Sequence, residues 1–393
     1  MTIYLVAGEV SADNHGAALM RSLRELDGEL HFVGRGGPQM KEVAGESAIG
    51  QICGGGQFKN WISEAAVLGL WEVLRKYGYF REQFDETLQE IRESKPDAVV
   101  LIDYPGFNLR LARALRTQVR QQKIIYYISP QVWAWNRGRI RRMAHFIDLV
   151  LCIFPFEVDL YSQAGLRALF VGHPMIERLQ ARKIDTQRER NLIGLFPGSR
   201  AREVRKIFPL MLKAARELRQ HNSNLRFEVA AASEQLAQEI TRLWDGHPAD
   251  QTGALEVRGA IQVTVGRAAE IMQRAWAGIV ASGSATLEAA YFRLPFVLIY
   301  KVAWPTYLAA RLVVNVKYLG MPNLLADKEV VSEFIQHRAK PNAIVKAVQP
   351  LIEDANARER MISEFDAIVP KLGDIGASQR AARAIIEEIG SAT

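Results

Sequence analysis

The chain has 393 residues, of which 49% are hydrophobic and 24% charged, and its 50 lysines and arginines against 43 aspartates and glutamates give a formal net charge of +7. That length suits two domains, and the composition excludes a disordered chain. Cys53 and Cys152 are too few for a disulfide scaffold, and no cysteine and histidine spacing is typical of a structural zinc site.

The first nine residues predict a strand and not a secretion signal, because the segment is short, begins uncharged and ends in Glu9. Two apolar windows, residues 61–74 and 303–319, are interrupted by charged residues and are too short to span a bilayer. We therefore expect a cytoplasmic protein. The basic excess is compatible with a nucleic acid, an anionic membrane surface or a phosphorylated small molecule, and does not distinguish among them.

Short β-branched stretches alternate with longer amphipathic ones in the first half of the chain. Strands are predicted at residues 3–7, 31–34, 98–102, 124–128, 148–153 and 168–171. This alternation predicts a parallel sheet with helices on both faces. The polar stretch 177–190 carries no strand signal and predicts an interdomain linker.

The alternation restarts after the linker and predicts a second α/β domain. Its strands are expected at residues 192–196, 226–231, 255–257, 278–281 and 296–300. We expect an N-terminal Rossmann-like domain at residues 1–173, a C-terminal one at 174–340, and helices at 341–393 that pack back on the first domain. The predicted fold class is α/β, with two Rossmann-like domains facing a central cleft.

Two turns in the first domain are candidate sites. Gly8 and Glu9 follow the first strand and open a helix with Ser11 and Asp13 as candidate caps, and this arrangement suits either a ligand or an ordinary capped turn. The spacing is not that of a dinucleotide-binding loop. Asp103 ends the central strand, where burial would raise the pKa of its carboxyl from about 3.9 and make it a general base. A turn-forming aspartate is the alternative.

An aromatic and basic segment follows the strand at 124–128. It contains Trp133, Trp135 and four arginines within 137–142, one of which is Arg139. Together these residues favour a phosphate-bearing ligand or an anionic membrane surface. A solvated helix face and nucleotide stacking are the alternatives.

Two glycine turns in the second domain each follow a strand and open a helix. Their residues are Gly198, Ser199, Arg200, Ser282, Gly283, Thr286 and Glu288. Such turns let the backbone approach a phosphate, and Glu288 is placed to accept hydrogen bonds from ribose hydroxyls. The pair predicts a nucleoside diphosphate donor bound mainly by the second domain.

Taken in order, these motifs resemble the lipid-A-disaccharide synthase family along nearly the whole chain. The matching segments include residues 8–13, 36–40, 69–74, 102–108, 129–135, 172–173, 197–200, 282–288 and 322–326. The Trp133-Ala134-Trp135 and 322–325 segments are specific to the family. Ala12, His15 and Gly106 depart from the pattern usual there.

The resemblance implies a GT-B fold and the transfer, with inversion, of 2,3-diacylglucosamine from UDP-2,3-diacylglucosamine to the 6-hydroxyl of 2,3-diacylglucosamine 1-phosphate. The implied products are a β-1,6-linked disaccharide 1-phosphate and UDP. No metal or other cofactor is expected. Asp103 is the implied base and Glu9 the second candidate. Asn323 and Gln336 join the donor residues. The expected acceptor residues are Ser11, Asn108, Ser129, Trp133, Trp135 and Arg139.

Three alternatives stay open at this point. A UDP-N-acetylglucosamine 2-epimerase or a peptidoglycan glycosyltransferase would share the two domains, and a non-catalytic basic binder of membrane or nucleic acid belongs to another class. We expect no nucleic-acid partner. The apolar stretch 67–74 with its basic flank predicts peripheral binding to the cytoplasmic face of the inner membrane, the alternative being an amphipathic core helix. A homodimer is compatible with the sequence.

Overall fold

The computed structural model describes residues 1–45, 58–62, 77–132, 138–245, 259–304, 307 and 316–390. The chain divides into two compact units, one made of Met1–Glu177 with Leu372–Thr393 and the other of Arg178–Lys371. Each unit contains one parallel sheet with helices connecting its strands. The predicted α/β class with two Rossmann-like domains is confirmed.

The strands of the described ranges are all paired in parallel. They are β1 (Thr2–Ala7), β2 (His31–Gly36), β3 (Phe58–Asn60), β4 (Ala98–Ile102), β5 (Lys123–Tyr127), β6 (Leu149–Cys152), β7 (Ala168–Phe170), β8 (Glu189–Phe196), β9 (Arg226–Ala231), β10 (Ile261–Val265), β11 (Ala275–Ala281), β12 (Phe296–Tyr300) and β13 (Glu333–Ile335).

The helices connect these strands. They are α1 (Val10–Leu26), α2 (Pro38–Gly45), α3 (Tyr77–Ser94), α4 (Pro105–Gln118), α5 (Gly138–Met143), α6 (Pro155–Ser162), α7 (Met175–Gln180), α8 (Ala201–His221), α9 (Glu234–Asp245), α10 (Ala268–Arg274), α11 (Ala285–Tyr291), α12 (Met321–Ala326), α13 (Pro341–Glu353), α14 (Ala355–Ile368) and α15 (Ala377–Gly390). Across the described ranges, no helix has the length and apolar character needed to cross a membrane.

The first unit has its strands in the order β3-β2-β1-β4-β5-β6-β7. The order therefore reverses between β1 and β4, where Ala7 lies opposite Ile102. All five residues of β4 are fully buried, which explains its unbroken apolar run, because helices cover both faces of a parallel sheet. The second unit has the order β10-β9-β8-β11-β12-β13 and reverses between β8 and β11, where Phe196 lies opposite Val280.

The C-terminal helices divide between the units, whereas we expected residues 341–393 to pack together on the first domain. The apolar face of α13 carries Ile344, Val348 and Leu351 into the core of the second unit. The chain joins the first unit only from Leu372 onward. A helical pattern in sequence identifies an apolar face but not the surface that receives it, so this division was not visible beforehand.

The predicted boundary near residue 174 also differs from the structure. The second unit begins at Arg178, inside α7, and the expected linker 177–190 already includes the first residues of β8. Arg188 explains part of this difference, since its half-buried side chain donates to the carbonyls of Met272 and Ala275 at 3.0 and 2.5 Å. A polar side chain thus packs inside the second unit, where composition alone indicated a solvated linker.

The last helix is held on the first unit by a buried carboxylate. Glu388 in α15 pairs with Lys123 at 2.8 Å and with Arg167 at 2.5 Å. In the same helix, Arg380 Nε donates to the carbonyl of Val171 at 2.7 Å. These contacts join the end of the chain to residues more than 200 positions earlier.

Replacing Glu388 with alanine should lower the free energy of unfolding by about 1–3 kcal/mol, because it removes a buried carboxylate with two cationic partners. Its side chain is 5% exposed, against 27% and 53% for the partners, which limits the loss. Urea unfolding measures the change. Glu387→Ala removes an exposed glutamate from the same helix and should have little effect. Equal losses in the two variants would contradict the anchoring role.

Candidate active site

The reversal in the first sheet brings two predicted carboxylates to neighbouring strand ends. Because Ala7 and Ile102 lie opposite each other, the next residues along the two strands, Gly8 with Glu9 and Asp103, emerge at the same edge of the sheet. In open α/β sheets this position forms a crevice that takes ligands. The structure therefore brings together the two residues predicted as the base and its alternative.

The backbone at Asp103 is held in an uncommon conformation. Asp103 and Tyr104 have φ angles of +47° and +51°, a region that costs non-glycine residues about 1–3 kcal/mol each and persists only where neighbours enforce it. The carbonyl oxygen of Asp103 accepts hydrogen bonds from the Tyr126 hydroxyl at 2.5 Å and from Asn108 Nδ2 at 2.8 Å. These two donors clamp the turn that carries the carboxylate.

Aromatic rings form one side of this turn. The ring of Tyr104 lies so close to Gly8 that a Cβ at this position would clash with the ring unless the ring moved. Trp61 packs edge-on to Phe107 with ring centroids 5.0 Å apart, and its Nε1 donates to the carbonyl of Ala7 at 2.7 Å. The rings exclude water from part of the strand edge.

The environment of Asp103 raises the pKa of its carboxyl to about 6. Burial is the larger cause and the negative charge of Glu9 the second, while a hydrogen bond from the Tyr104 backbone acts in the opposite direction. Burial and Glu9 also raise the pKa of the Tyr104 hydroxyl to about 12. Glu9 itself is exposed at the start of α1. Asp103 thus has the pKa of an efficient general base near neutral pH.

The expected acceptor residues occupy different environments. Ser11 is exposed in the first turn of α1, and Arg139 is half-buried in α5. Asn108 is fully buried and also donates to the carbonyl of Ile102 at 3.3 Å, so it positions the strand end from behind. Ser129 is 4% exposed after β5.

Other predicted positions cannot be compared with the structure or differ from it. Trp133, Trp135 and the stretch 67–74 lie outside the described residues. Asp13 was a candidate cap for its own helix, but its carboxylate accepts from the backbone nitrogens of Gly37 at 2.9 Å and Gln39 at 3.1 Å. It therefore caps α2, because its side chain reaches the free N–H groups of that neighbouring helix.

The second unit repeats the arrangement at its own reversal. Gly198 follows β8 with φ of +109°, and Gly283 follows β11 with φ of +147°. Space is open around Gly283, and the buried Thr286 shapes its turn by donating to the Gly283 carbonyl at 2.7 Å. Ser199 and Arg200, which directly follow Gly198 in the chain, are both exposed. Positive φ angles suit close approach of a diphosphate at both turns, and the space is open at Gly283, whereas the Glu203 side chain lies against Gly198.

Charged neighbours surround these turns. Arg200 lies 3.8 Å from Glu203, whose negative charge also acts on Tyr300 at the end of β12. The pKa of Tyr300 is raised first by burial and then by Glu203. Glu288, predicted to accept from a ribose, pairs with Arg178 at 2.8 Å. Glu288 and Arg200 thus each have an oppositely charged neighbour, and the Arg200 side chain remains largely exposed.

Asn323 and Gln336, which we expected at the donor, bond to the protein itself through their side chains. The oxygen of Asn323 accepts from the backbone of Val331 at 2.8 Å, and its nitrogen donates to Glu333 at 2.8 Å. The amide of Gln336 bonds both backbone groups of Val302, at 3.1 and 3.2 Å. Both residues are buried. They hold segments near the strand ends in place.

The family model described as lipid-A-disaccharide synthetase matches residues 3–384. A lipid-A-disaccharide synthase from Geobacter sulfurreducens is 36% identical over 396 residues, with 99% of this chain and 97% of the relative covered. The chain belongs to the lipid-A-disaccharide synthase family. The resemblance first seen in the motifs is therefore confirmed over the whole length.

Solved structures outside the synthase family share its fold. A UDP-GlcNAc 2-epimerase from Methanocaldococcus jannaschii, in complex with UDP-GlcNAc and UDP, is similar with a TM-score of 0.59 and 10% identity, covering 98% of this chain and 100% of that one. The calicheamicin glycosyltransferase CalG4 is similar with a TM-score of 0.56 and 13% identity, covering 100% and 99%. The expected GT-B fold class is confirmed, and the protein is a glycosyltransferase by family.

The sequence did not indicate the structural roles of two residues, Tyr126 and Glu333. Tyr126 lies within an apolar strand, and only the tertiary structure places its hydroxyl on the Asp103 carbonyl. Glu333 in β13 accepts from the backbone nitrogens of Leu319 at 3.0 Å and Gly320 at 2.8 Å, and so holds the segment that leads into α12. Neither residue belongs to a local motif, so no signal in the sequence pointed to these contacts.

We expect Asp103→Asn to stabilise the protein at pH 7.5 by about 1–3 kcal/mol. Because the folded-state pKa of about 6 lies above the ordinary 3.8, the unfolded carboxyl ionises first, and stability falls as pH rises between these values. Asparagine is neutral throughout and avoids this loss. Urea unfolding at pH 7.5 and pH 5 should show a smaller gain at the lower pH. Asp85→Asn, at an exposed site in α3, should give no such gain.

Proposed function

We propose that the protein transfers the 2,3-diacylglucosamine group of UDP-2,3-diacylglucosamine to the 6-hydroxyl of 2,3-diacylglucosamine 1-phosphate, with inversion and release of UDP. Family membership supplies the reaction. The observation that carries the assignment of roles is the clamped Asp103, whose pKa is raised to about 6 at the reversal of the first sheet. The glycine turns at the reversal of the second sheet supply the place for the diphosphate.

Asp103 acts as the general base. Its carboxylate takes the proton of the acceptor 6-hydroxyl while that oxygen bonds to the anomeric carbon of the donor. The bond from that carbon to the phosphate oxygen breaks in the same step, and UDP leaves with the electron pair. A single displacement inverts the anomeric configuration. A base whose pKa lies near the working pH combines a large ionised fraction with useful basicity.

Glu9 has a tuning role in this proposal. Its negative charge is the second cause of the raised pKa of Asp103, after burial. Glu9 is exposed, whereas Asp103 is half-buried, and burial is the main cause of the raised pKa of the Asp103 carboxyl. The geometry thus favours Asp103 over Glu9 as the residue that receives the proton.

The donor turns stabilise the leaving group. Negative charge develops on the β-phosphate as UDP departs, and the exposed Arg200 guanidinium is suited to bind it through paired N–H donors. Backbone N–H groups at the turns of Gly198 and Gly283 add further donors. Asn323 and Gln336 support this site indirectly by holding the segments around Val302 and Val331.

We further propose that the protein works as a peripheral enzyme on the cytoplasmic face of the inner membrane. Both proposed substrates carry acyl chains that partition into a bilayer, at about 0.8 kcal/mol for each buried methylene. The net charge of +7 favours an anionic surface.

The reaction is tested by incubating the purified protein with both acylated substrates in EDTA and following UDP and disaccharide by mass spectrometry. We expect the wild type to form both products without added metal. Asp103→Ala should lower the rate by about 100-fold or more, the usual contribution of a general base. Asp85→Ala is the matched control and should retain activity. UDP release without disaccharide, or an active Asp103→Ala, would contradict the proposal.

The pH profile tests the role of Glu9. The value of kcat/KM should rise with pH and level off above an inflection near 6, because the base works only when ionised. Glu9→Gln removes the neighbouring negative charge and should move the inflection to lower pH, although burial keeps it above 3.8. Glu29→Gln, at an exposed site beyond α1, should leave the profile in place. An unmoved inflection in Glu9→Gln would refute the tuning role.

A further inference from the structure

A basic groove lies on the first unit between α4 and α5. Its cavity volume is about 610 Å³. Five arginines line it, three from α4 and two from α5: Arg110, Arg113, Arg116, Arg139 and Arg142. Below we call this cavity the arginine groove.

The arginines of the groove form two facing rows. Arg110, Arg113 and Arg116 are three residues apart in α4 and therefore share one helix face, and Arg139 and Arg142 have the same spacing in α5. Sequence spacing alone predicted an anion site at the second row but did not reveal the first. Only the packing of the two helices brings both rows to one cavity.

Most of this positive charge is not balanced by the protein. Arg116 pairs with Asp148 at 2.5 Å. Arg110, Arg113 and Arg142 are exposed, and within the described residues none of them forms an ion pair. Like charges three or four residues apart destabilise a helix by about 0.2–0.5 kcal/mol per pair. A bound anion removes this repulsion, so the rows are arranged for a multiply charged ligand.

The other residues that line the groove indicate which kind of ligand it would bind. Leu109, Met143 and Phe146 give it an apolar lining, which suits an amphiphile better than a free anion. Gly106 also lines the groove, directly after the turn that carries Asp103, and space around it is open. Arg110 lies about 8 Å further along the helix axis, at 1.5 Å per residue from Pro105. The end of the groove at Pro105 and Gly106 is therefore two to three residues along the chain from the proposed base, and Arg110 lies about one sugar length beyond that end along α4.

We propose that the arginine groove binds the phosphate of the acylated sugar acceptor and so orients its distant hydroxyl at Asp103. This inference rests on the proposed function. Guanidinium groups suit a phosphomonoester because they offer paired N–H donors and a fixed charge. The donor diphosphate is assigned to the glycine turns of the second unit, so the groove is the phosphate site of the first unit.

The test compares two acceptors in non-ionic detergent micelles: 2,3-diacylglucosamine 1-phosphate and the same lipid without its phosphate. The double variant Arg110→Gln/Arg113→Gln should lower the preference for the phosphorylated acceptor, measured as the ratio of kcat/KM values, by about tenfold or more. The lower kcat/KM for the phosphorylated acceptor should come mainly from a higher KM. Arg110→Lys/Arg113→Lys keeps the charges and should recover part of the preference. The control variant Arg21→Gln/Arg92→Gln removes two exposed arginines elsewhere on the unit and should retain the full preference for the phosphorylated acceptor.

A binding measurement without donor separates this inference from the reaction itself. Calorimetry should show that the wild type binds the phosphorylated lipid more tightly than the dephosphorylated one, and that the glutamine double variant loses this difference. If the wild type discriminates in binding but forms no disaccharide, the proposed function fails while the groove assignment stands. An undiminished preference in the double variant overturns the assignment. So does a variant that loses only retention on phosphatidylglycerol vesicles, because the groove then serves membrane headgroups.

Discussion

Parallel pairing of β1 with β4 is the constraint on which the chemistry of the first unit depends. Strands on the two sides of a reversal end next to each other, and their connections run to opposite faces of the sheet, which leaves a crevice between them. The pairing of Ala7 with Ile102 therefore determines that Glu9 and Asp103 are neighbours, although they are far apart in sequence. The pairing of Phe196 with Val280 has the same consequence for the glycine turns of the second unit.

The reversal explains where the base lies, and a local clamp explains how it is held. Asp103 and Tyr104 occupy a left-handed conformation whose cost must be offset by their surroundings. Tyr126 and Asn108 offset it by bonding the carbonyl of Asp103, so the carboxylate remains available while its backbone is immobile. Burial then raises its pKa, which lowers the stability of the folded chain at neutral pH. Stability is exchanged here for basicity.

Much of this architecture is readable in the sequence, because strands, glycine turns and a carboxylate after a central strand are local patterns. Buried amides were harder to interpret. Asn323 and Gln336 lie in a family segment, yet their hydrogen bonds are taken up by Val331 and Val302. A motif identifies a residue that matters but not whether it contacts the ligand or the backbone behind it. The division of the C-terminal helices was equally hidden, since it depends on which core receives the apolar face of α13.

In the first unit, the negative charge of Glu9 acts on the proposed base, whereas the positive charges of the arginine groove form a separate cluster. Burial and the negative charge of Glu9 raise the pKa of Asp103, and α4, which carries three arginines of the groove, begins two residues after Asp103. Nearby guanidinium groups would lower that pKa and weaken the base. A phosphate bound among the arginines would neutralise them further. Anion binding on α4 and proton removal at the turn before it are thus able to operate side by side without opposing each other.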